Sequence, residues 1–271
     1  MKIKATLSIL LSILTLVMLL RYLLKQADQS VSSTTSSKSS FLIPWIALVL
    51  CLAWSVTQSV FTLNGVDLNF YNSLLITAFV VNILLLVMSS FKSIEHAGLL
   101  VLPITLVSVT LSLGSHQVST TPSMNPGMQV HIITSMVAFS ILGLAAVQSI
   151  LLFFQERSLH NHSSMFLLRS LPSLHETETL LFQFISVGMV ILTLSLGTGF
   201  IFIEDIFAQH LAHKTTLSCL AWLVFLTLIV GRVRFGWRGQ TAIKWSLGGF
   251  SFLILAYYGS KFVLELILSN P

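Results

Sequence analysis

Apolar runs long enough to cross a lipid bilayer recur from one end of this chain to the other, and they leave few folds open. A hydrocarbon core of ~30 Å takes about 20 helical residues. Eight runs approach or pass that length: Ala5–Leu24, Phe41–Phe61, Ser73–Phe91, Ala97–Leu113, His131–Phe154, Glu178–Ile203, Thr215–Val230 and Thr241–Lys261. The fourth and seventh are short and the sixth is long, which predicts unequal tilts. Because the runs are continuous and do not alternate with polar residues, a β-barrel is excluded. Charge is correspondingly scarce. Charged residues make up 8% of the 271 and hydrophobic residues 55%, where a soluble domain carries roughly 25% charged residues. The expected fold is all-α: a polytopic transmembrane helical bundle of eight spans, one transmembrane domain over residues 1–271, with the lipid bilayer as its surroundings. The first run follows Met-Lys-Ile-Lys, as a signal peptide would. It is long, however, and no small-residue cleavage site follows it, so it reads as a helix.

Basic residues set the orientation. The loops after the odd-numbered spans hold Arg21, Lys25, Lys38, Lys92, Arg157, Arg169, Arg232, Arg234, Arg238 and Lys244, whereas the other side holds Lys2, Lys4, Lys214 and Lys261. That asymmetry places the odd-numbered loops in the cytoplasm and both termini outside. The net charge of +5 is thereby a matter of topology. Its residues are too scattered to form a nucleic-acid surface. Residues 25–40, with their SVSSTTSSKSS run, read as a flexible polar loop. Met165–Leu171 reads as a short amphipathic helix on the inner surface.

Few residues carry chemistry. Cys51 and Cys219 are the only cysteines, and without a CxxC pair they point away from thiol redox work and covalent haem attachment. Tyr257 and Lys261 fit the YxxxK spacing of short-chain dehydrogenases, but no Gly-rich strand-to-helix turn accompanies them. They read as an outer aromatic belt with a snorkelling lysine. Asn82, Gln58, Gln148 and Gln183 are expected to bond between helices. No Asp or Glu lies at mid-membrane, apart from Glu178 near one end, which argues against a carboxylate proton relay. No catalytic triad, zinc motif or phosphate loop is present, so bond-making chemistry is not expected. His96, His160, His162 and His175 fall on the cytoplasmic side, where solvated side chains are the default. His116, His131, His210 and His213 fall on the outer side. Imidazole is a common metal and haem ligand, yet an interfacial histidine is equally comfortable with water or a backbone carbonyl, and spacing alone does not decide between them. Met124 and Met128 add soft donors nearby.

His131 follows the turn-forming stretch PSMNPGMQV. With helix starting near Met128, it would stand in the first turn, where unpaired N–H groups and the helix dipole favour a neutral ring with a free lone pair. It is expected to face the bundle interior, with Ser135, Ala138 and Gly143 leaving room on the same face. Trp237, Arg238 and Gly239 read as an inner-boundary anchor, the indole at the headgroups and the guanidinium on phosphate.

The segment PGMQVHIITSMVAFSILGLAAVQSILLFF, the segment LPSLHETETLLFQFISVGMVILTLSLGTGF and the segment HKTTLSCLAWLVFLTLIVGRVRFGWRG together resemble the cytochrome c assembly family (CcsA/HemX/YpjD-like membrane proteins). The likeness runs from about residue 126 to 258 and is nearest to the YpjD-like inner-membrane branch. It rests on the helix opening at His131, the Leu-Pro-Ser-Leu loop, the Lys-x-Thr start at Lys214 and the Arg-x-x-x-Gly-Trp-x-Gly turn ending at Gly239. Family members that export haem carry a Trp-rich motif where this chain reads IFIEDIFAQHLAHKTT. They also carry a histidine where this chain has Val230, and another where it reads KFVLELILSNP. Of their haem-ligating histidines only His131 finds a match. The resemblance implies haem as cofactor, held through His131, and other cytochrome assembly or membrane proteins as partners. A six-coordinate haem needs a second axial ligand, and the loop that replaces the Trp-rich motif offers His213, next to the Lys-x-Thr start, or His210. The competing reading is a cofactor-free structural or regulatory subunit of a membrane transporter or enzyme.

Overall fold

A computed structural model describes residues 2–28, 39–62, 65–113, 126–160, 172–202 and 209–259. Among them are eight α-helices: α1 (Lys2–Asp28), α2 (Ser39–Val60), α3 (Phe70–Phe91), α4 (Gly98–Ser112), α5 (Pro126–His160), α6 (Leu174–Phe202), α7 (Gln209–Phe235) and α8 (Gly239–Ile254). A two-residue antiparallel pair, β1 (Phe61–Thr62) with β2 (Gly65–Val66), links α2 to α3. A 3-10 turn at Glu95–Ala97 precedes α4. Seven of the helices are long and apolar enough to cross a membrane. With 16 residues α8 is shorter, and a π turn at Leu255–Gly259 carries it onward. The chain is a polytopic helical membrane protein, as its apolar runs require. The amphipathic segment Met165–Leu171, His116, His162 and Met124 lie outside the described residues, as does the polar loop from residue 29 to 38. The loop's expected first residues belong to α1, which continues to Asp28.

The chain divides into two compact units, residues 1–120 with 154–174, and residues 121–153 with 175–271. In the first, α1 packs on α2 and α4, and α3 packs on the same two helices. Its centre is a buried polar bridge. Trp45 Nε1 donates to Asn82 Oδ1 at 3.1 Å, and Asn82 Nδ2 donates to Thr105 Oγ1 at 2.6 Å. Three helices are thereby tied where no water competes, the role expected of Asn82. Gln58, by contrast, is exposed. Cys51 is buried beside Ser8, their Sγ and Oγ 3.2 Å apart. His96 departs from expectation: it is buried with Glu95 in the 3-10 turn, because the chain enters α4 by tucking that turn inward.

In the second unit, glycines let helices approach closely. Gly188 of α6 faces Leu142 of α5, Gly143 of α5 faces the Phe250 ring of α8, and Gly249 of α8 faces Phe225 of α7. Trp222 Nε1 on α7 donates to Thr193 Oγ1 on α6 at 2.9 Å. The helices alternate in direction, so the start of α5, the end of α6, the start of α7 and the end of α8 share one end of the unit. At the other end stand the start of α6, the end of α7 and the start of α8.

Candidate functional site

Helix α5 begins at Pro126, where a proline's fixed φ and missing N–H suit a first helical position. His131 consequently stands in the second turn and not the first. The expectation that it sits among unpaired N–H groups is overturned, since helix extends five residues upstream of it. What holds the ring is the neighbouring helix. His131 Nδ1 lies 2.8 Å from the carbonyl oxygen of Ser195 on α6, and 3.5 Å from Thr198 Oγ1, whose hydroxyl donates to that same carbonyl at 2.9 Å.

A carbonyl oxygen can only accept, so Nδ1 carries the proton and donates it. In the neutral ring, Nε2 then keeps the lone pair. This is how proteins orient metal-ligating histidines: one ring nitrogen is fixed on a carbonyl or carboxylate while the other faces the metal. The approach depends on Gly199, where a Cβ would lie 2.9 Å from His131 Cε1. Ser195 itself is buried, and His131 is partly buried.

Other residues at this end complete the surroundings. Lys214, near the start of α7, is partly buried at the same end of the unit. Its ammonium lies 5.1 Å from the centroid of the Tyr257 ring. Tyr257 and Tyr258, half-buried in the π turn, pack with Phe139 of α5 at ring-centroid distances of 5.5 and 5.3 Å. His213 is exposed, one residue before Lys214. His210 lies within α7, and its side chain is outside what is described. Among the described residues no three His, Cys, Asp or Glu side chains gather as a metal cage would. The donor set here is one oriented imidazole beside aromatic rings and a cation.

The opposite end of the unit holds a different device. Glu178, buried at the start of α6, accepts from Arg232 Nη1 at 2.6 Å and from Arg238 Nε at 2.9 Å. Arg232 also donates to the Trp237 carbonyl at 3.2 Å, and its guanidinium lies 4.5 Å from the Phe182 ring centroid. Arg238 Nη2 lies 3.3 Å from His175 Nδ1. The hydrogen bond with Glu178, and then its charge, hold the Arg238 guanidinium above its ordinary range. The turn itself needs its glycines. Gly236 (φ 66°) and Gly239 (φ 52°) adopt left-handed backbone, and the Gly236 N–H closes α7 on the Arg232 carbonyl at 3.2 Å. Trp237 packs over Gly231 and against Trp245, ring centroids 5.4 Å apart. Arg238, read from sequence as a phosphate partner, thus already bonds inside the protein while half its side chain stays exposed.

Sequence reasoning singled out His131, Lys214, Trp237, Arg238 and Gly239, and the structure brings these to two ends of one unit. It missed Ser195, Gly199 and Arg232 as partners. Gly199 alone carried a signal, as a glycine inside an apolar helix where a side chain must be absent.

The family described as Cytochrome C assembly protein matches residues 44–268 of the chain. The chain is 30% identical over 200 residues to the inner membrane protein YpjD of Escherichia coli strain K12, which covers 72% of this chain and 76% of that one. It is 33% identical over 147 residues to a 28.8 kDa protein of Azospirillum brasilense, 53% of this chain and 54% of that one. Similarity also extends to the cytochrome c biogenesis protein CcsA of Prochlorococcus marinus strain MIT 9515, 30% over 90 residues, 32% of this chain and 29% of that one. No solved structure gives a significant match.

Proposed function

The chain belongs to the cytochrome c assembly protein family, and on that premise we propose that it is a haem-handling protein of the bacterial inner membrane that offers His131 as an axial ligand at its outer face. The observation that carries this reading is the hydrogen bond from His131 Nδ1 to the Ser195 carbonyl at 2.8 Å, which orients the ring and leaves Nε2 as the lone-pair nitrogen. The residues fit the group: an imidazole of fixed tautomer, aromatic rings of the kind a porphyrin packs on, and a cation. Haem iron, when bound, supplies the open coordination positions that an imidazole fills. The protein's part is to hold, orient and shield, without bond-making of its own. His213 is the preferred second axial ligand, with His210 the other, because both precede Lys214 on α7. The relative named as a cytochrome c biogenesis protein supports a role in haem delivery or cytochrome assembly. The relative named as an inner membrane protein supports the location.

The test is spectroscopic. Purified protein titrated with ferrous and ferric haem should develop a saturable Soret band with the pattern of histidine ligation. His131→Ala should abolish it while leaving detergent-solubilised protein monodisperse and of unchanged Tm. His213→Ala with His210→Ala should convert a six-coordinate spectrum to a five-coordinate one. Equal haem occupancy in wild type and His131→Ala would remove the ligand role and favour the cofactor-free subunit.

A further inference from the structure

Lys214 has no role in the reading above beyond its position, and its surroundings are unusual for a lysine. It is partly buried near the start of α7. Among the described residues it makes no ion pair, and its ammonium rests over the Tyr257 ring at 5.1 Å. A cation taken out of water is costly unless an anion or strong acceptors compensate, and a single aromatic face compensates only in part. His131 stands at the same end of the unit. Tyr257 belongs to a packed trio with Phe139 and Tyr258, rings 5.1 to 5.5 Å apart.

The trio is built by an irregularity. The chain leaves α-helical geometry at Leu255 and forms a π turn through Gly259. Such turns insert an extra residue per turn and are frequent where a helix must aim side chains at a ligand. Here the turn sets two consecutive tyrosines against α5, two helical turns along from His131. Three chemistries therefore meet at one end of the unit: a lone-pair nitrogen, an apolar aromatic wall and a positive charge lacking a carboxylate among the described residues. That combination suits a flat, largely apolar ligand with a metal at one point and an anionic group at its edge.

Resting on the haem reading above, we propose that Lys214 is the carboxylate-binding residue of the same site, pairing with an acidic side group of the porphyrin while Tyr257 supports the lysine from beneath. Its role is selection and orientation. A porphyrin is nearly symmetrical about its iron, and an axial histidine alone does not fix its rotation. A cation to one side does, since only the acidic edge can meet it. Lysine acts as a point charge with rotatable donors and tolerates carboxylates from a range of directions.

The experiment compares iron protoporphyrin IX with its dimethyl ester, which keeps the iron and the ring but lacks the acidic groups. Both are titrated into wild type, Lys214→Met and Lys214→Arg in the same detergent, reading dissociation constants from the Soret band. A charge-assisted hydrogen bond predicts that wild type prefers the free acid by roughly tenfold or more. Lys214→Met should bring the ratio of the two affinities to the micelle-only value, measured with detergent alone, and Lys214→Arg should retain much of the preference. Comparing the ratio between variants cancels the greater partition of the ester into micelles, and Tm values without ligand show that each variant is folded. Equal ratios in wild type and Lys214→Met would overturn the assignment, and would mean that Lys214 is satisfied by the protein itself. Failure of both porphyrins to bind wild type would instead remove the haem reading on which it rests, and this assignment with it.

Discussion

At position 199 a side chain of any size would stand where an imidazole now sits, because an ideal Cβ there falls 2.9 Å from His131 Cε1. Gly199→Ala must therefore shift the His131 ring, and Gly199→Val must expel it from the Ser195 carbonyl. Orienting hydrogen bonds of this kind are worth roughly 10- to 100-fold in metal affinity, so haem affinity of Gly199→Val should fall by that factor. An absorption titration reads it directly. Tm should fall by less than for a core cavity, since the lost hydrogen bond is worth only about 1 kcal/mol. His131 was visible in the sequence because a polar ring at the head of a long apolar run is rare. Its partner was not, for a plain physical reason: the acceptor is a backbone carbonyl, which every residue possesses and no residue type announces. The first-turn placement also failed. Pro126 and Gly127 read as turn residues, yet a proline at the first helical position is compatible with helix.

Between elements, the clamp at Glu178 joins the start of α6 to the end of α7 and to the turn that opens α8. Its carboxylate is buried and takes guanidinium donors from residues 54 and 60 positions away. Such separations leave no periodic trace, which is why neither Arg232 nor Arg238 was legible as a partner of Glu178. Glu178→Gln keeps the shape and removes the charge. It should cost about 2 kcal/mol, mostly through Arg232, the more buried partner, and lower the Tm in detergent. The glycines divide differently. At Gly236 a Cβ would meet nothing, so Gly236→Ala pays only for its left-handed backbone, about 1–2 kcal/mol. At Gly231 a Cβ would run into the Trp237 indole, so Gly231→Ala should displace that ring. Quenched or red-shifted tryptophan emission against wild type would report it. A Gly231→Ala spectrum identical to wild type would show that the indole is not packed there.

For the molecule as a whole, the number of membrane crossings decides where each site faces. Among the described residues seven helices are long and apolar enough to cross, and an odd number of crossings would put the two chain ends on opposite sides. The eighth is the critical one. As an α-helix it runs only Gly239–Ile254, and the π turn to Gly259 supplies the remaining length. With α8 counted, residues 239–259 span ~30 Å at 1.5 Å per residue, enough for the hydrocarbon core. Both ends of the chain then face the same side. The ten-to-four excess of Lys and Arg on the loops after odd-numbered spans predicts that this side is the outer one. In that predicted orientation His131, Lys214 and Tyr257 would face outward and the Glu178 clamp inward. A phosphatase active only outside, fused after Pro271 or inserted near Gln117, should be active. A fluorescent reporter that matures only inside should light up near Ser163 or Gln240. Substitution of Arg232, Arg234 and Lys244 by Gln should weaken this bias, because these basic residues flank the turn between α7 and α8. An active phosphatase near Gln117 with an inactive one after Pro271 would leave α8 outside the membrane as a crossing helix and reduce the span count to seven. An inactive phosphatase near Gln117 would invert the whole bundle and place His131 at the cytoplasmic face.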